Sequence, residues 1–293
     1  MTFSQILKIS PLAPRETEIL VAFLLHKDRE FLLTHPETII APNINKKLKK
    51  LIKQRLSGWS SAVLVGQKEF YGSTFKVDKN VLIPRPETEM IVDEVLDLIK
   101  EENCNVTVVD VGTGSGAIII ASANELKKTN LKQYKKTNFF ALDISTRALK
   151  IAKENALKNK QAKKINFFHG NLLKPLINKR AVQLASRLII TANLPYLTTH
   201  QVKLSPSIQK EPRLALIAGE GGLKYYRELF QQLKVFKTKK KSNLSNSSFT
   251  VLCEIDPSQT TKIKSLIKKI FSGADIKIKK DLAGKNRLVI IKI

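Results

Sequence analysis

The chain has 293 residues, of which 43% are hydrophobic. This length and apolar content are those of an ordinary globular protein, which needs no disulfide or metal to build its core. Two cysteines and four scattered histidines form no metal-ligand spacing, so we expect reduced thiols and no metal site. No apolar run approaches membrane-spanning length and no signal peptide is evident, so the sequence predicts a soluble, cytoplasmic protein without membrane contact.

The charge of the chain is strongly basic. Lysine and arginine number 51 against 25 acidic residues, which gives a formal net charge of +26. Such a balance favours a polyanionic neighbour, such as RNA or a ribosome. The lysines are spread along the whole chain, however, so a compositional bias explains the charge equally well. The prediction is therefore limited to a weak RNA or ribosome contact through a basic surface.

The N-terminal part of the chain has the apolar period of α-helices. This period covers residues 1 to about 58 and is clearest over 15–26 and 44–56. Prolines separate the helical segments, and Gly58 follows the last of them. We therefore predict a small all-helical domain over residues 1–65, which presents either a partner-recognition surface or a solvated lysine-rich face.

Residues 66–85 are predicted to link this domain to the rest of the chain. A short hairpin is predicted within 70–77, around a Gly-Ser turn. The run IPRPETE follows at Ile83–Glu89, where its two prolines hold the backbone extended. The second proline is suited to open a helix that continues to about Glu101.

Strands and helices alternate through the remainder, residues 86–293. The predicted strands are 106–111, 138–142, 165–168, 188–192, 249–255, 276–278 and 287–291, and the predicted helices are 115–126, 145–159, 223–236 and 257–271. This alternation predicts an open, mostly parallel sheet that is covered on both faces. The final pair of strands has no helix between them, which implies one antiparallel strand at or near the edge. The polar, basic stretch 237–248 is predicted to be a mobile loop.

A glycine-rich loop follows the first strand of this α/β part. The apolar run of the strand ends in an acid, Asp110, the loop runs from Gly112 through Thr113, Gly114 and Ser115 to Gly116, and an apolar helix follows. Glycines allow a positive φ and let a ligand approach the backbone amides. The loop spacing fits both a dinucleotide site and an S-adenosylmethionine site, so the loop alone leaves the ligand open.

Polar residues also end the next two strands. Asp143 ends the second strand, 31 residues after Gly112, where a carboxylate can accept both ribose hydroxyls of a nucleoside. Dehydrogenases place this acid about 20 residues on, so the spacing favours a methyl donor. A helix cap is the alternative role for Asp143. Asn171 and Leu172 follow the third strand, where an adenine ring would meet the fold and the Asn171 amide can both donate and accept.

The tetrapeptide Asn193-Leu194-Pro195-Tyr196 follows the fourth strand. If that strand lies beside the first, the tetrapeptide faces the glycine loop across the crevice where ligands bind in such sheets. The Asn193 side-chain oxygen and the Leu194 carbonyl then form two acceptors for the two protons of a planar –NH2 group. Tyr196 supplies a ring to pack against that group. An ordinary turn after a strand is the alternative.

With these residues in place, the sequence resembles the HemK/PrmC family of release factor glutamine methyltransferases. The IPRPETE run joined to the glycine loop carries most of the resemblance, and Asn193–Tyr196, Glu211-Pro212 and Gly219–Gly222 extend it. The resemblance implies a Rossmann-like class I S-adenosylmethionine-dependent methyltransferase sheet after a helical substrate-recognition domain. It implies methyl transfer to the glutamine side-chain amide of the Gly-Gly-Gln motif of class 1 peptide-release factors.

The resemblance also implies roles for individual residues. The residues implied to bind S-adenosylmethionine are Gly112, Thr113, Gly114, Ser115, Gly116, Asp143, Asn171, Leu172 and Asn193. The residues implied to bind the acceptor glutamine are Asn193, Leu194, Pro195 and Tyr196, of which Asn193, Pro195 and Tyr196 are implied to be catalytic. The expected partner is a class 1 release factor, and the expected state is a monomer.

The sequence departs from the family at two of these positions. Leu194 stands where the family usually has proline, and Asn171 stands where it usually has aspartate. The Asn-Leu-Pro-Tyr variant is also similar to rRNA adenine dimethyltransferases, which makes an RNA adenine methyltransferase the main alternative. Those enzymes generally carry their extra domain at the C-terminus, whereas here it precedes the glycine loop. A non-catalytic RNA- or ribosome-binding protein on the same fold is the other alternative.

Overall fold

The computed structural model describes residues 1–100, 104–179, 182, 185–240 and 248–293. The N-terminal part is helical, as predicted, with α1 Phe3–Ile9, α2 Pro14–Leu25, α3 Arg29–Thr34, α4 Pro42–Leu56 and α5 Ser61–Val65. Proline opens both α2 and α4 at the first turn, where a missing N–H costs nothing. The helices bury an apolar core of their own, centred on Phe3, Leu20, Leu32 and Leu48.

A two-stranded hairpin joins the helical part to the α/β part. Its strands are β1 Gln67–Phe70 and β2 Ser73–Lys76, so the turn consists of Tyr71 and Gly72 rather than the predicted Gly-Ser pair. Tyr71 and Gly72 both have positive φ, 47° and 63°, which a two-residue hairpin turn requires. Tyr71 keeps this conformation because its N–H donates to Glu89 and its hydroxyl donates to Asp93.

The described strands of the α/β part form one seven-stranded sheet. They are β3 Val106–Val111, β4 Asn138–Asp143, β5 Ile165–His169, β6 Arg187–Ala192, β7 Ser248–Glu254, β8 Asp275–Lys280 and β9 Asn286–Lys292. Their order is β5-β4-β3-β6-β7-β9-β8, and β3 to β7 run parallel. Strand β9 is antiparallel to both of its neighbours and lies next to the edge, which confirms the prediction from the final strand pair.

Helices cover both faces of the sheet. They are α6 Glu89–Lys100, α7 Ala117–Thr129, α8 Leu131–Lys136, α9 Thr146–Lys158, α10 Thr199–Lys203, α11 Arg213–Leu216, α12 Lys224–Lys240 and α13 Thr260–Ile270. Alternate residues of β3 point to opposite faces, so Val108 packs in the core with α6 and α7, whereas Val109 packs in the core with α12 and α13. The predicted α/β class and two-sided covering are confirmed.

The main error in the predicted elements concerns the basic stretch 237–248. Helix α12 continues to Lys240, so the predicted loop is wrong over 237–240. Lysine is a good helix former, and composition alone did not show that the helix continues through it. Ser248 begins β7, and residues 241–247 lie outside the described residues, as does the predicted helix end at Glu101. Helices α8, α10 and α11 are short and were not predicted.

The order of the strands creates the crevice of the sheet. From β3 the chain builds β4 and β5 on one side and then returns to place β6 on the other side of β3. The connections after β3 and β6 therefore diverge at the carboxyl ends of these strands, which is where open α/β sheets bind ligands. Val111 is paired with Ala192 at this edge, so the glycine loop and Asn193 start side by side.

Candidate active site

The glycine-rich loop leads from β3 into α7. Gly112, Gly114 and Gly116 all have positive φ, at 72°, 54° and 81°. The N–H groups of Gly112 and Thr113 both donate to the Leu142 carbonyl of the neighbouring strand β4, at 2.9 Å each. The loop is therefore tied to β4 as well as to its own strand, and its shape needs glycine at these positions.

The three glycines face different surroundings. A Cβ on Gly112 would lie 2.9 Å from the Leu194 side chain, and one on Gly116 would lie 3.2 Å from Ala152 Cβ in α9. A Cβ on Gly114 would meet nothing within 4 Å. Gly112 and Gly116 thus allow close packing of the protein on itself, whereas Gly114 borders open space that a ligand can fill.

Asp110 holds the loop from below. Its side chain is fully buried at the end of β3 and accepts hydrogen bonds from Thr113 Oγ1 at 2.6 Å and Thr191 Oγ1 at 2.7 Å. Burial raises the pKa of Asp110 to about 6, the two hydroxyl donors oppose this rise, and the charge of Asp143 adds to it. One carboxyl group thus connects β3, the glycine loop and β6.

Asp143 lies at the end of β4, beside the loop. Its Oδ2 accepts from Gly114 N at 2.9 Å, and its Oδ1 accepts from Ser145 N at 2.8 Å. The Ser145 side chain caps α9 by accepting from Ala148 N. Burial raises the pKa of Asp143, whereas the backbone N–H donors lower it. Each carboxylate oxygen can accept a further hydrogen bond, so this loop contact and ribose binding are compatible.

Asn193 and Tyr196 are fixed from behind by residues distant in sequence. Asn193 Nδ2 donates to Thr88 Oγ1 at 3.1 Å and to Glu254 Oε2 at 3.0 Å. The Tyr196 hydroxyl donates to Glu254 Oε1 at 3.1 Å, and burial raises the pKa of Tyr196. Within the described part of the chain, the Asn193 Oδ1 and the Leu194 carbonyl accept no hydrogen bond. Both acceptors that the sequence predicted are thus available.

A cavity of about 460 Å³ opens at the carboxyl ends of β3, β4 and β6. Ten predicted site residues line it: Gly112, Thr113, Gly114, Ser115, Asp143, Asn171, Leu172, Asn193, Leu194 and Pro195. Two others do not. Gly116 packs against α9, and Tyr196 lies beneath the cavity wall with its hydroxyl on Glu254. The tertiary structure therefore brings together segments from four separate strand ends.

Several residues around the cavity were not predicted as site residues. Thr88, from the IPRPETE run, lines the cavity, and Glu254 ends β7 directly behind it. Glu211 is buried, pairs with Arg85 and accepts from Ile83 N at 3.2 Å, which draws the IPRPETE segment over the site. A signal for Glu254 existed in the sequence, because it is an acid at the carboxyl end of an apolar strand, as Asp110 and Asp143 are.

Asn171 has a partner that the sequence did not indicate. Its Nδ2 donates to Glu228 Oε1 of α12 at 2.5 Å, and Gln232 Nε2 also donates to that oxygen. One of the two N–H groups of the Asn171 amide is therefore used inside the protein, and the second N–H and the Oδ1 can still bond a ligand. Leu172 follows with a positive φ of 51°, unusual for a residue with a branched side chain, and turns the chain at this wall of the cavity.

Neither a metal-ligand cluster nor a membrane-spanning helix is present in the described part of the chain. No group of three or more His, Cys, Asp or Glu residues there is arranged to hold a metal ion. No helix there is both long and apolar enough to cross a membrane.

The strand order and the place of the cavity define the class of protein. A parallel sheet that reverses at a glycine loop, with a carboxylate on the next strand, is the fold of class I methyltransferases that use S-adenosylmethionine. The catalytic domain of hMettl16 in complex with MAT2A 3'UTR hairpin 1 shares it, with a TM-score of 0.54 and 11% identity over 92% of this chain and 90% of that one. At this identity the likeness shows the fold alone.

Sequence comparisons then identify the family. Residues 2–66 match the PrmC N-terminal domain, and residues 102–210 match a methyltransferase domain. The release factor glutamine methyltransferase of Dictyoglomus turgidum is 34% identical over 94% of this chain and 89% of its own length. That of Coxiella burnetii is 34% identical over 98% and 95%. The chain belongs to the release factor glutamine methyltransferase family and is a methyltransferase.

Alanine substitutions at Gly114 and Gly116 are expected to separate ligand binding from folding. Both positions have positive φ, so alanine strains the backbone by about 1–2 kcal/mol at either one. At Gly116 the methyl group also meets Ala152, so Gly116→Ala is expected to melt at a lower temperature than Gly114→Ala. Gly114→Ala is expected to weaken S-adenosylhomocysteine binding about tenfold in calorimetric titration, because its methyl group enters the cavity. Equal melting temperatures for the two variants would contradict this assignment.

Asp110→Asn is expected to change how stability depends on pH. Because the pKa of Asp110 is raised to about 6, the native state binds this proton more tightly than the unfolded chain does. The contribution of Asp110 to the free energy of unfolding therefore falls as pH rises from about 4 to about 6, by about 3 kcal/mol. In urea denaturation, the free energy of unfolding of Asp110→Asn relative to the wild type should therefore rise by about 3 kcal/mol as pH rises from about 4 to about 6. The exposed Asp28→Asn variant is the control, and parallel curves for Asp110→Asn and wild type would refute the prediction.

Proposed function

We propose that this enzyme transfers a methyl group from S-adenosylmethionine to the side-chain amide nitrogen of the glutamine in the Gly-Gly-Gln motif of class 1 peptide-release factors. The names of the family members support the substrate. The observation that carries the proposal is the Asn193 amide. Its nitrogen is held by Thr88 and Glu254, and its oxygen accepts no hydrogen bond within the described residues at the cavity wall.

The residues around the loop fit S-adenosylmethionine, which supplies a methyl group on a positively charged sulfur. Gly114 leaves the loop open toward the cavity, and the Asp143 carboxylate at its edge retains acceptor capacity for ribose hydroxyls. Asn171 and Leu172 close the wall where an adenine ring would lie. We assign the cofactor to Gly112–Gly116, Asp143, Asn171 and Leu172 on this basis.

The acceptor side of the site works by orientation. An amide nitrogen is a poor nucleophile because its lone pair is delocalised. The Asn193 Oδ1 and the Leu194 carbonyl can each accept one proton of the glutamine –NH2 group, and Pro195 holds the Leu194 backbone extended. Fixing the nitrogen in line with the methyl group can contribute about 7–11 kcal/mol. The transfer would form the nitrogen–methyl bond and break the sulfur–methyl bond, which leaves a neutral thioether, and the displaced amide proton would pass to solvent.

Leu194 meets this requirement although the family usually has proline there. Its side chain is only 4% exposed and packs against Gly112. This contact with the glycine loop restrains the backbone at position 194, as the ring of a proline would do. The acceptor at this position is a backbone carbonyl, which any residue supplies. Packing therefore takes over the role of the missing ring.

The remaining predictions on partners follow from this proposal. An RNA adenine methyltransferase would use the same pair of acceptors, but the helical domain that precedes the sheet matches the PrmC N-terminal domain. RNA or ribosome contact through the charge of +26 stays a prediction, as do the monomeric state and the cytoplasmic location in which release factors act.

Asn193→Ala is the direct test of the proposed reaction. The variant is expected to bind S-adenosylhomocysteine but to lose methyl transfer by about 10²–10³-fold, since one proton of the acceptor amide loses its partner. Mass spectrometry of a release factor incubated with S-adenosylmethionine measures the gain of one methyl on the Gly-Gly-Gln peptide. Asn193→Asp keeps an acceptor and should retain part of the rate, and Leu194→Pro should keep or raise it.

The outcomes of this assay separate the hypotheses. Full transfer by Asn193→Ala would refute the site. Transfer by the wild type to rRNA alone would refute the release factor as substrate. No binding of S-adenosylmethionine by the wild type would leave a non-catalytic protein on the same fold.

Asn171 and Glu228 are expected to behave as a pair. Because Asn171 Nδ2 lies 2.5 Å from Glu228 Oε1, Asn171→Asp, the residue usual in the family, would place two carboxylates in contact. We expect Asn171→Asp alone to weaken S-adenosylhomocysteine binding about tenfold. The double variant Asn171→Asp with Glu228→Gln should recover most of the affinity, since glutamine again supplies a donor. Tight binding by the single variant, measured by calorimetry, would contradict this coupling.

A further inference from the structure

The carboxylate of Glu254 lies behind the proposed acceptor site and binds three groups at once. It ends β7 and is 3% exposed. Its Oε2 accepts from Thr88 Oγ1 at 2.6 Å and from Asn193 Nδ2 at 3.0 Å, and its Oε1 accepts from the Tyr196 hydroxyl at 3.1 Å. One buried anion therefore joins the IPRPETE segment to both ends of the Asn-Leu-Pro-Tyr tetrapeptide.

An asparagine amide needs such a partner because its two ends have nearly the same shape. Only one of its two orientations presents oxygen to the acceptor. Here Nδ2 uses both of its hydrogens, on Thr88 Oγ1 and on Glu254 Oε2. Thr88 gives its single proton to Glu254, so it faces Asn193 as an acceptor. A reversed amide would set Oδ1 against a buried carboxylate with no proton between them, which is strongly unfavourable.

We infer that Glu254 and Thr88 are positioning residues for methyl transfer: together they hold the Asn193 amide with its oxygen toward the acceptor and hold Tyr196 by its hydroxyl. The inference rests on the proposed function, because it names what orients that same site. The side-chain contacts of both residues go to Asn193, to Tyr196 and to each other, and not to the glycine loop or Asp143. Their effect is therefore expected on the transfer rate rather than on cofactor affinity.

The surroundings of Glu254 keep it in place as an acceptor. Burial raises the pKa of Glu254, and the hydrogen bonds from Thr88 and Tyr196 and the charge of Arg287 lower it. Arg287 is fixed by its ion pair with Asp281 at 3.1 Å and donates to the Ile255 carbonyl, next to Glu254 in the chain. The charge of Arg287 thus stabilises the carboxylate, while Thr88, Asn193 and Tyr196 donate hydrogen bonds to its two oxygens.

Thr88→Val, Thr88→Ser and Thr107→Val form a matched set. Thr88→Val removes the hydroxyl with little change of shape, and the single-turnover rate at saturating release factor and S-adenosylmethionine is expected to fall about 10–100-fold. Affinity for S-adenosylhomocysteine should stay within about twofold. Thr88→Ser restores the hydroxyl and should recover most of the rate. Thr107 is also buried, and its hydroxyl has no partner within the described residues, so Thr107→Val is the control for the same change elsewhere.

Glu254→Gln tests the orientation itself. The new Nε2 can donate to a reversed Asn193 Oδ1, so both orientations become acceptable and the rate should fall about tenfold or more. The side-chain –NH2 signals of Asn193 in a ¹⁵N-labelled protein, identified by their loss in Asn193→Asp, report the same property without any release factor. In the wild type their protons should exchange slowly with solvent, and in Thr88→Val and Glu254→Gln they should shift and exchange faster.

These measurements distinguish the inference from the proposed function. If the wild type methylates the release factor and Thr88→Val and Glu254→Gln do so at the same rate, the inference is overturned. A rate loss in Thr88→Val that Thr107→Val shares, or that Thr88→Ser does not recover, also overturns it. If the wild type methylates no release factor, the proposed function fails, and unchanged Asn193 signals in the two variants would then refute the inference separately.

Discussion

The parallel pairing of β3 with β6 is the constraint on which the site depends. Val111 lies beside Ala192 on one side and beside Leu142 on the other, so the loops that follow all three strands meet at one edge of the sheet. Because the chain reverses its direction of sheet building at β3, these loops separate and leave a crevice between them. Leu194 then packs on Gly112 across that crevice. The cavity is the space that remains.

Buried acids at the strand ends turn this edge of an apolar sheet into an ordered polar layer. Asp143 and Glu254 end β4 and β7, Asp110 is the penultimate residue of β3, and burial raises the pKa of each one. Each is compensated by hydroxyl or N–H donors from neighbouring segments, which offsets the cost of removing a charge from water. A donor that loses such a partner is left unsatisfied, so the network favours one arrangement of the loops.

The segment between the helical domain and the sheet completes the site from outside. Glu211 binds Arg85 and the backbone of Ile83, and this brings Thr88 to the cavity wall against Glu254. The IPRPETE run, which follows the predicted linker, therefore also contributes to the site, since it supplies a contact to the Asn193 amide. A sequence pattern that was remote from the glycine loop becomes part of the same polar layer.

Local patterns in the sequence determined the elements and the residue types of the site. The apolar run 106–111, the glycine spacing after it and the prolines at helix starts each act within a few residues, so their effect is visible without a fold. The exact hairpin turn was missed because a side-chain anchor from Glu89 decided it. The end of α12 was missed because a lysine-rich composition is compatible with both a loop and a helix. Which groups hold the amide nitrogens of Asn193 and Asn171 was decided only by the tertiary structure. Their partners Glu254 and Glu228 lie 61 and 57 residues away, and only the order of strands and helices brings such groups together.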